Sequence, residues 1–556
     1  MEHTSLEEAV RRHVEPGDVV HVVLGHHRWT ALARELTRQH WGGDPRFTLV
    51  MASLGSLGAL FFRGGLLRRV VTAYSGDSFP TYTPNPVFQQ AYASGAVEVE
   101  HWSFLTLAQR LEAAARGLPA TVTASARDSG LAGNGGDARV ATPFGEVGLV
   151  APLAPDVALL HAVAADRDGN VLVAPPSLEG VYGAFAARRG ALVTVERVVD
   201  DLRPWAAHVR IPAHRVLAVV EAPYGAHPGG VYAPGLPVTP YGEDLDFWVA
   251  AKAAARGDLD AFAREWCLEP STHDEYLARL GNDRLALLRE RADPDSWRAD
   301  AAAWPVDETA PATPWETAAA LAVRELEARI TATRADAVLA GAGVANLAAW
   351  VAVARARAAG QAVHLIAELG LWDYTPTPAD PFIFNHRSFP TATMLSDAST
   401  VLGLFIAGPG TRSLACLGTA QVDRNGDLNS TAFADGAVLV GSGGGNDVAS
   451  AADEVVVVTL LRPQRTPERV PYVTGPGDRV QTVVTDLGVL RRLDGVLRLA
   501  AVPDGPGDLA TRGRAAVAAC GWPLDVVPEL AELPAVARSE AIALRAYDPR
   551  GYFLGD

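Results

Sequence analysis

Lysine is almost missing from this chain of 556 residues: Lys252 is the only one, and the other basic residues are arginines. We read this as coding bias in a GC-rich genome and not as a phosphate-binding device. Cysteine is scarce too. Cys267, Cys416 and Cys520 lie far apart with no paired spacing, which excludes a disulfide framework or a zinc site and suits a reducing cytoplasm. Positive charge is in deficit: 48 Lys and Arg face 64 Asp and Glu, a net charge of −16, which argues against a nucleic-acid surface. No apolar run reaches the roughly 20 residues of a membrane span. The opening, Glu2 to Val14, reads as a charged helix and not a signal peptide. The expectation is a cytoplasmic protein with no membrane or nucleic-acid partner. No His-x-x-x-His spacing or carboxylate cluster supports a metal, and no Gly-x-Ser-x-Gly marks a serine nucleophile.

The composition that remains, 49% apolar and 20% charged, is that of a globular chain too long for one core. A helix over 6–13 ends at Pro16-Gly17, and the β-branched strand Val19–Val23 follows. Helices then alternate with short apolar strands at 47–52, 69–74, 158–163, 192–196 and 216–221. The alternation predicts parallel sheets flanked by helices. Near 293–315 the pattern dissolves into Asp, Ala, Pro and Thr. A helix over 316–331 opens a second series, with strands at 337–339, 362–368, 413–417, 437–440 and 455–460. The predicted class is α/β, with two similar domains of mainly parallel sheet over 1–290 and 317–556, joined by a linker at 291–316.

An internal repeat supports the two halves. Asp156–Val171 and Arg412–Leu428 are each a strand running into an Asp-Arg-(Asp/Asn)-Gly turn, at Asp166 and Asp423, 423 − 166 = 257 residues apart. Val70-Val-Thr-Ala-Tyr74-Ser-Gly76 and His364-Leu-Ile-Ala-Glu368-Leu-Gly370 are a second pair, offset by 368 − 74 = 294. Unequal offsets mean insertions between shared elements, hence domain duplication and not a solenoid.

Glu368 is the leading chemical candidate. A carboxylate at the carboxyl end of an α/β strand sits where such sheets bind ligands. Leu371-Trp372-Asp373-Tyr374-Thr375-Pro376 then supplies an aromatic pocket wall. The turn Gly441-Ser-Gly443-Gly444-Gly445-Asn446-Asp447, set between a strand and a helix, lets backbone approach a ligand and present N–H groups to an oxyanion. It is neither a P-loop nor a dinucleotide fingerprint. Gly418–Thr431, with Gln421 and Asn429, packs amides and hydroxyls into a turn after a strand, and Ala222–Gly230 is a turn-rich loop after another. Gly25, His26, His27 and Arg28 follow the first strand; neighbouring histidines on a strand face opposite ways, against a shared metal. Tyr74, Trp372 and Arg387 are further candidates for the pocket lining.

Taken together these segments resemble family I CoA-transferases, in the glutaconate CoA-transferase group, as a fusion of its α-like and β-like subunits. The likeness runs through Glu98–Ser103, Ala113–Pro119, Asp156–Val171, Ala222–Pro228, Glu265-Trp266 and His273–Leu277. It continues through Glu368–Pro376, Gly418–Asp423, Leu428–Thr431, Gly441–Asn446, Tyr472–Gly477 and Val483–Gly488. The resemblance implies that Glu368 is the nucleophile of a ping-pong exchange between an acyl-CoA and a carboxylic acid, through a glutamyl-CoA thioester. It implies an oxyanion donor at Gly444 and pocket support from Gln421 and Asn429. It implies CoA thioester as substrate, no permanently bound cofactor, and a homodimer of the fusion. Two departures stand against the family pattern. Leu24-Gly25-His26 replaces Gly-Gly-Phe after the first strand. Phe433–Gly436 replaces a segment of His-Pro and basic residues. On the same scaffold, an acyl-CoA hydrolase or C–C bond-cleaving enzyme, and an idle acyl-CoA binder, stand as alternatives to a transferase.

Overall fold

The computed structural model describes residues 2–23, 31–133 and 137–555. The predicted segment Gly25, His26, His27 and Arg28 lies outside the described residues.

Seven strands of the first half form one parallel array: β1 (Val19–Val22), β2 (Phe47–Val50), β3 (Leu67–Thr72), β4 (Glu98–His101), β5 (Val157–Asp166), β6 (Gly190–Val199) and β7 (Val216–Glu221). Their order is β7-β6-β5-β1-β2-β3-β4, every neighbour parallel. Strands buried on both faces carry unbroken apolar runs rather than alternation, and β5 is buried along nine of its ten residues. After β4, Ser103 caps helix α1 (Phe104–Ala115).

The second half opens with α2 (Pro314–Thr333), fixed by a Thr313/Glu316 capping box. Its sheet contains β8 (Ala337–Ala340), β9 (His364–Ala367), β10 (Leu371–Trp372), β11 (Ser413–Gly418), β12 (Glu454–Val458) and β13 (Val480–Val484). The order β9-β8-β11-β12-β13 is parallel. Antiparallel β10 lies beyond β9, and three further strands within 489–533 extend the other edge. Small residues let α2 lie close to α3 (Val344–Ala358): Ala318, Ala319 and Ala322 on one, Ala345, Ala348 and Ala352 on the other, all buried.

The Asp-Arg-x-Gly turns are the same structure twice. Asp166 and Asp423 each accept from the Gly three residues on, 3.0 and 2.9 Å, and each carboxylate accepts the N–H four residues on, 2.8 and 3.1 Å. These turns align β5 with β11, so β1 matches β8 and β2 matches β9. The expected pairing of Tyr74 with Glu368 therefore fails. Tyr74 follows β3, one strand further out, whereas Glu368 follows β9, the counterpart of β2. Two similar strand-end sequences carried no information on strand order.

Two other expectations change. Residues 437–440 form no strand; they make one antiparallel bridge, Ala432 with Val438, because Val440 gives its carbonyl to the Ser75 N–H of the other half at 2.7 Å. The stretch 291–316 is not bare linker. It holds a helix, Trp297–Ala303, and the first turn of α2.

Candidate active site

The halves meet on the glycine turn. Ser75 N–H donates to Val440 O (2.7 Å), Gly443 N–H to Ala73 O (2.9 Å) and Phe104 N–H to Gly443 O (3.0 Å). Asp447 completes the lock. Its Oδ1 accepts from Ser103 Oγ at 2.5 Å and its Oδ2 from Leu105 N–H at 3.1 Å. A carboxylate from one half thus caps helix α1 of the other, where free N–H groups favour negative charge.

Glu368 leaves the end of β9 and is held by a tight turn. Gly370 has φ +125°, and a Cβ there would collide with Ser396 O, so only glycine fits. The Glu368 side chain is open to a cavity on one side and enclosed by protein elsewhere. Burial first and then the buried Asp447 carboxylate push its pKa up, the Gly444 N–H it accepts pulls it back, and the balance lies at about 8. Asp447 is itself raised by burial to about 6. Of the three glycines expected to present donors, Gly444 alone faces Glu368. Gly443 donates to Ala73 O, and Gly445 to Ser442 O at 2.9 Å. The approach is so close that a Cβ on Gly444 would fall on Glu368 Oε2.

The cavity beside Glu368 measures about 620 Å³ and runs along the carboxyl ends of β9, β8, β11 and β12. First-half residues Ser53, Tyr74 and the segment 81–84 close one wall. Tyr74 is in the lining; its hydroxyl donates to Asp77 O at 2.6 Å, and burial raises its pKa well above the ordinary value. Trp372, Gln421, Asn429, Asn446 and Arg387 do not line the cavity. Trp372 packs on His364 and Phe405. Asn446 is spent holding Ala126 N–H (2.7 Å) and Thr474 O (2.8 Å). Arg387 pairs with Asp300 at 2.6 Å. Asn429 donates to Gln421 Oε1 (2.8 Å), and Gln421 in turn to Gln464 O (3.0 Å), so both support a loop at the cavity's far end.

Sequence reasoning missed Ser103 and Asp447 as a pair, Ser53, and Trp315, Arg465, Tyr552 and Phe553 of the lining. Ser103 and Asp447 lay inside segments already singled out, but nothing local shows that residues 344 apart meet. Among the described residues no group of three or more His, Cys, Asp or Glu could hold a metal ion, and no helix is long and apolar enough to cross a membrane.

The fold is found in acyl-CoA transferases of known structure. The thioester complex of acyl-CoA transferase YdiF from Escherichia coli O157:H7 superposes with a TM-score of 0.67 at 16% identity, covering 98% of this chain and 97% of that one. The Coenzyme A transferase family model matches residues 3–222. One of the subunits of 3-oxoadipate CoA-transferase from Pseudomonas knackmussii is 33% identical over 294 residues, 50% of this chain and 98% of the relative. One of the subunits of glutaconate CoA-transferase from Acidaminococcus fermentans is 29% identical over 312 residues, 51% of this chain and 93% of the relative. The chain belongs to the family I CoA-transferases.

Proposed function

We propose that this enzyme moves CoA between an acyl-CoA and a carboxylic acid by a ping-pong reaction on Glu368. The observation that carries the reading is the Glu368 carboxyl, open to the cavity and hydrogen-bonded by Gly444 N–H. The carboxylate attacks the thioester carbonyl, the C–S bond breaks, and CoA thiolate leaves an acyl-glutamyl anhydride. The thiolate then attacks the Glu368 carbonyl carbon, breaking its bond to the acyl carboxylate. The acid departs and a glutamyl-CoA thioester remains. An acceptor carboxylate runs the same steps in reverse. Covalent catalysis divides one hard displacement into easier ones. Gly444 donates to an oxygen of Glu368 itself, so it serves when that carbonyl becomes tetrahedral and its oxygen gathers charge.

The test is trapping. Incubation with acyl-CoA should load CoA on Glu368; borohydride should reduce that residue to an alcohol, and hydroxylamine should release the CoA. Glu368→Ala should lose transfer and keep its fold. Glu368→Asp withdraws the oxygen by one methylene, and a misplacement near 1 Å already costs about 10²-fold. A hydrolase would instead release acid with no acceptor and accumulate no trappable thioester. Transfer that survives in Glu368→Ala defeats the proposal.

A further inference from the structure

Among the described residues one cation lines the cavity. Apart from Glu368 and three tyrosines, Arg465 is the sole ionisable residue of its lining among the described residues. Neighbouring arginines have acidic partners: Arg462 pairs with Asp486 at 2.9 Å, Arg424 with Glu468 at 3.2 Å, and Arg545 with Glu316 at 2.6 Å. Arg465 has no such partner among the described residues. Its guanidinium lies over the Trp315 ring, 5.2 Å from the centroid, a cation–π contact that leaves its hydrogen-bond donors unspent.

The position is built. The Arg465 carbonyl accepts Val422 N–H at 2.9 Å, and its own N–H donates to Arg462 O at 2.9 Å. Gln421 grips the preceding carbonyl of Gln464, and Asn429 orients Gln421. Trp315 sits in the capped first turn of α2, where the adjacent Glu316 is clamped by Arg545. Glu368 follows β9 and Arg465 follows β12, three strands away in the sheet. At roughly 4.8 Å per strand the carboxyl ends of these two strands are about 14 Å apart. Between them the wall is mostly apolar or backbone: Leu339, Gly341–Val344, Leu417 and Val458. Arg465 is thus placed to meet the ligand's other end, away from the reacting carbonyl.

We infer that Arg465, held over Trp315, binds an oxyanion of the thioester substrate at the end of the cavity remote from Glu368. The oxyanion is a carboxylate on the acyl tail or a phosphate of CoA; both offer the planar or near-planar oxygen pairs that a guanidinium matches. The inference rests on Glu368 as the group that receives the thioester.

Arg465→Gln tests it in the full chain, with Arg465→Lys as the charge-retaining control and a melting curve to confirm folding. Three substrates separate the sources: glutaryl-CoA, valeryl-CoA with the same five-carbon chain but no distal carboxylate, and valeryl-pantetheine with no phosphate. A charge-assisted hydrogen bond corresponds to about a 10–100-fold effect. Loss of that size in kcat/KM confined to glutaryl-CoA identifies the carboxylate. Equal loss on both CoA thioesters that spares valeryl-pantetheine identifies the phosphate. No change beyond about twofold on any substrate, or equal loss on all three, overturns the inference. Calorimetric titration of glutarate and of free CoA separates this outcome from a failure of the Glu368 reading. If no covalent adduct forms at all, a tenfold weaker affinity of Arg465→Gln for one of these two ligands still supports the site. Unchanged binding of both, or binding of neither to the wild type, rejects it.

Discussion

At the scale of one residue, Glu368 is poised between two demands. The nucleophile we propose must be ionised, yet burial and Asp447 hold its pKa near 8, so most molecules carry the proton at neutral pH. Adduct formation on Glu368 should therefore rise with pH and level off above about 8. Asp447→Asn removes the neighbouring negative charge and should move that midpoint down, towards the ordinary carboxylate range. Rapid-quench measurement of the CoA adduct across pH reads both. The same shift has a sign for stability. Between the ordinary 4.5 and about 8, the folded protein keeps a proton that the unfolded chain has lost. Its contribution is fully present below 4.5 and fades as pH rises through 8. Glu368→Gln should accordingly melt higher than the wild type, by a margin that widens from about pH 5 to about pH 8.5. A constant margin would mean that the carboxyl is not raised.

At the scale of the element, the glycine turn is a joint first and a donor second. Of the N–H groups of Gly443, Gly444 and Gly445, two go to backbone carbonyls and one is left for Glu368. Gly444 has φ −89° and ψ 0°, which alanine tolerates, so backbone strain is not what forbids a side chain there. The methyl of Gly444→Ala would land on the carboxylate instead. Alanine keeps the N–H, but its methyl pushes the carboxyl off that donor, so we expect turnover to fall by the roughly 10²–10³ typical of a lost oxyanion contact, with an unchanged melting temperature; steady-state kinetics beside calorimetry checks this. Part of this arrangement was legible before folding. Glu368, the glycines and the Asp-Arg-x-Gly turns are local patterns, and parallel strands advertise themselves as apolar runs. Which amide faces which carboxyl depends on contacts across the chain. Asn446 and Gln421 look like pocket residues in sequence for the same reason that they are not: their amides are already committed to backbone at loops brought together only by folding. Residues 437–440 are apolar and β-branched enough for a strand, but the Val440 carbonyl goes to Ser75 of the other half, while the Leu439 and Val440 N–H groups go to Thr431 and Ser430.

At the scale of the whole molecule, the cavity exists only because two halves are joined. Ser53 and Tyr74 come from one sheet, and Glu368, Gly444 and Arg465 come from the other. The covalent connection between them is not what holds them. Beyond the glycine turn, Ala126 N–H donates to Asn446 Oδ1 (2.7 Å) and Gly130 N–H to Val473 O (2.8 Å). Ser177 N–H and Leu178 O bond to Ser396 O and Ala398 N–H, each at 2.9 Å. These bonds are spread over several segments of both halves, and the connecting residues 307–310 are exposed. An exposed stretch is where a break is best tolerated. A protease site placed between Thr309 and Ala310 should therefore give, on cleavage, two fragments that co-elute and keep most of the transfer activity. Either fragment alone should be inactive, since neither carries both walls of the cavity. Activity lost on cleavage while the fragments stay together would show that the connection, through Trp315 and the start of α2, sets the geometry of the site. Fragments that separate at micromolar concentration would show that the contacts across the glycine turn are too weak to hold the halves without it.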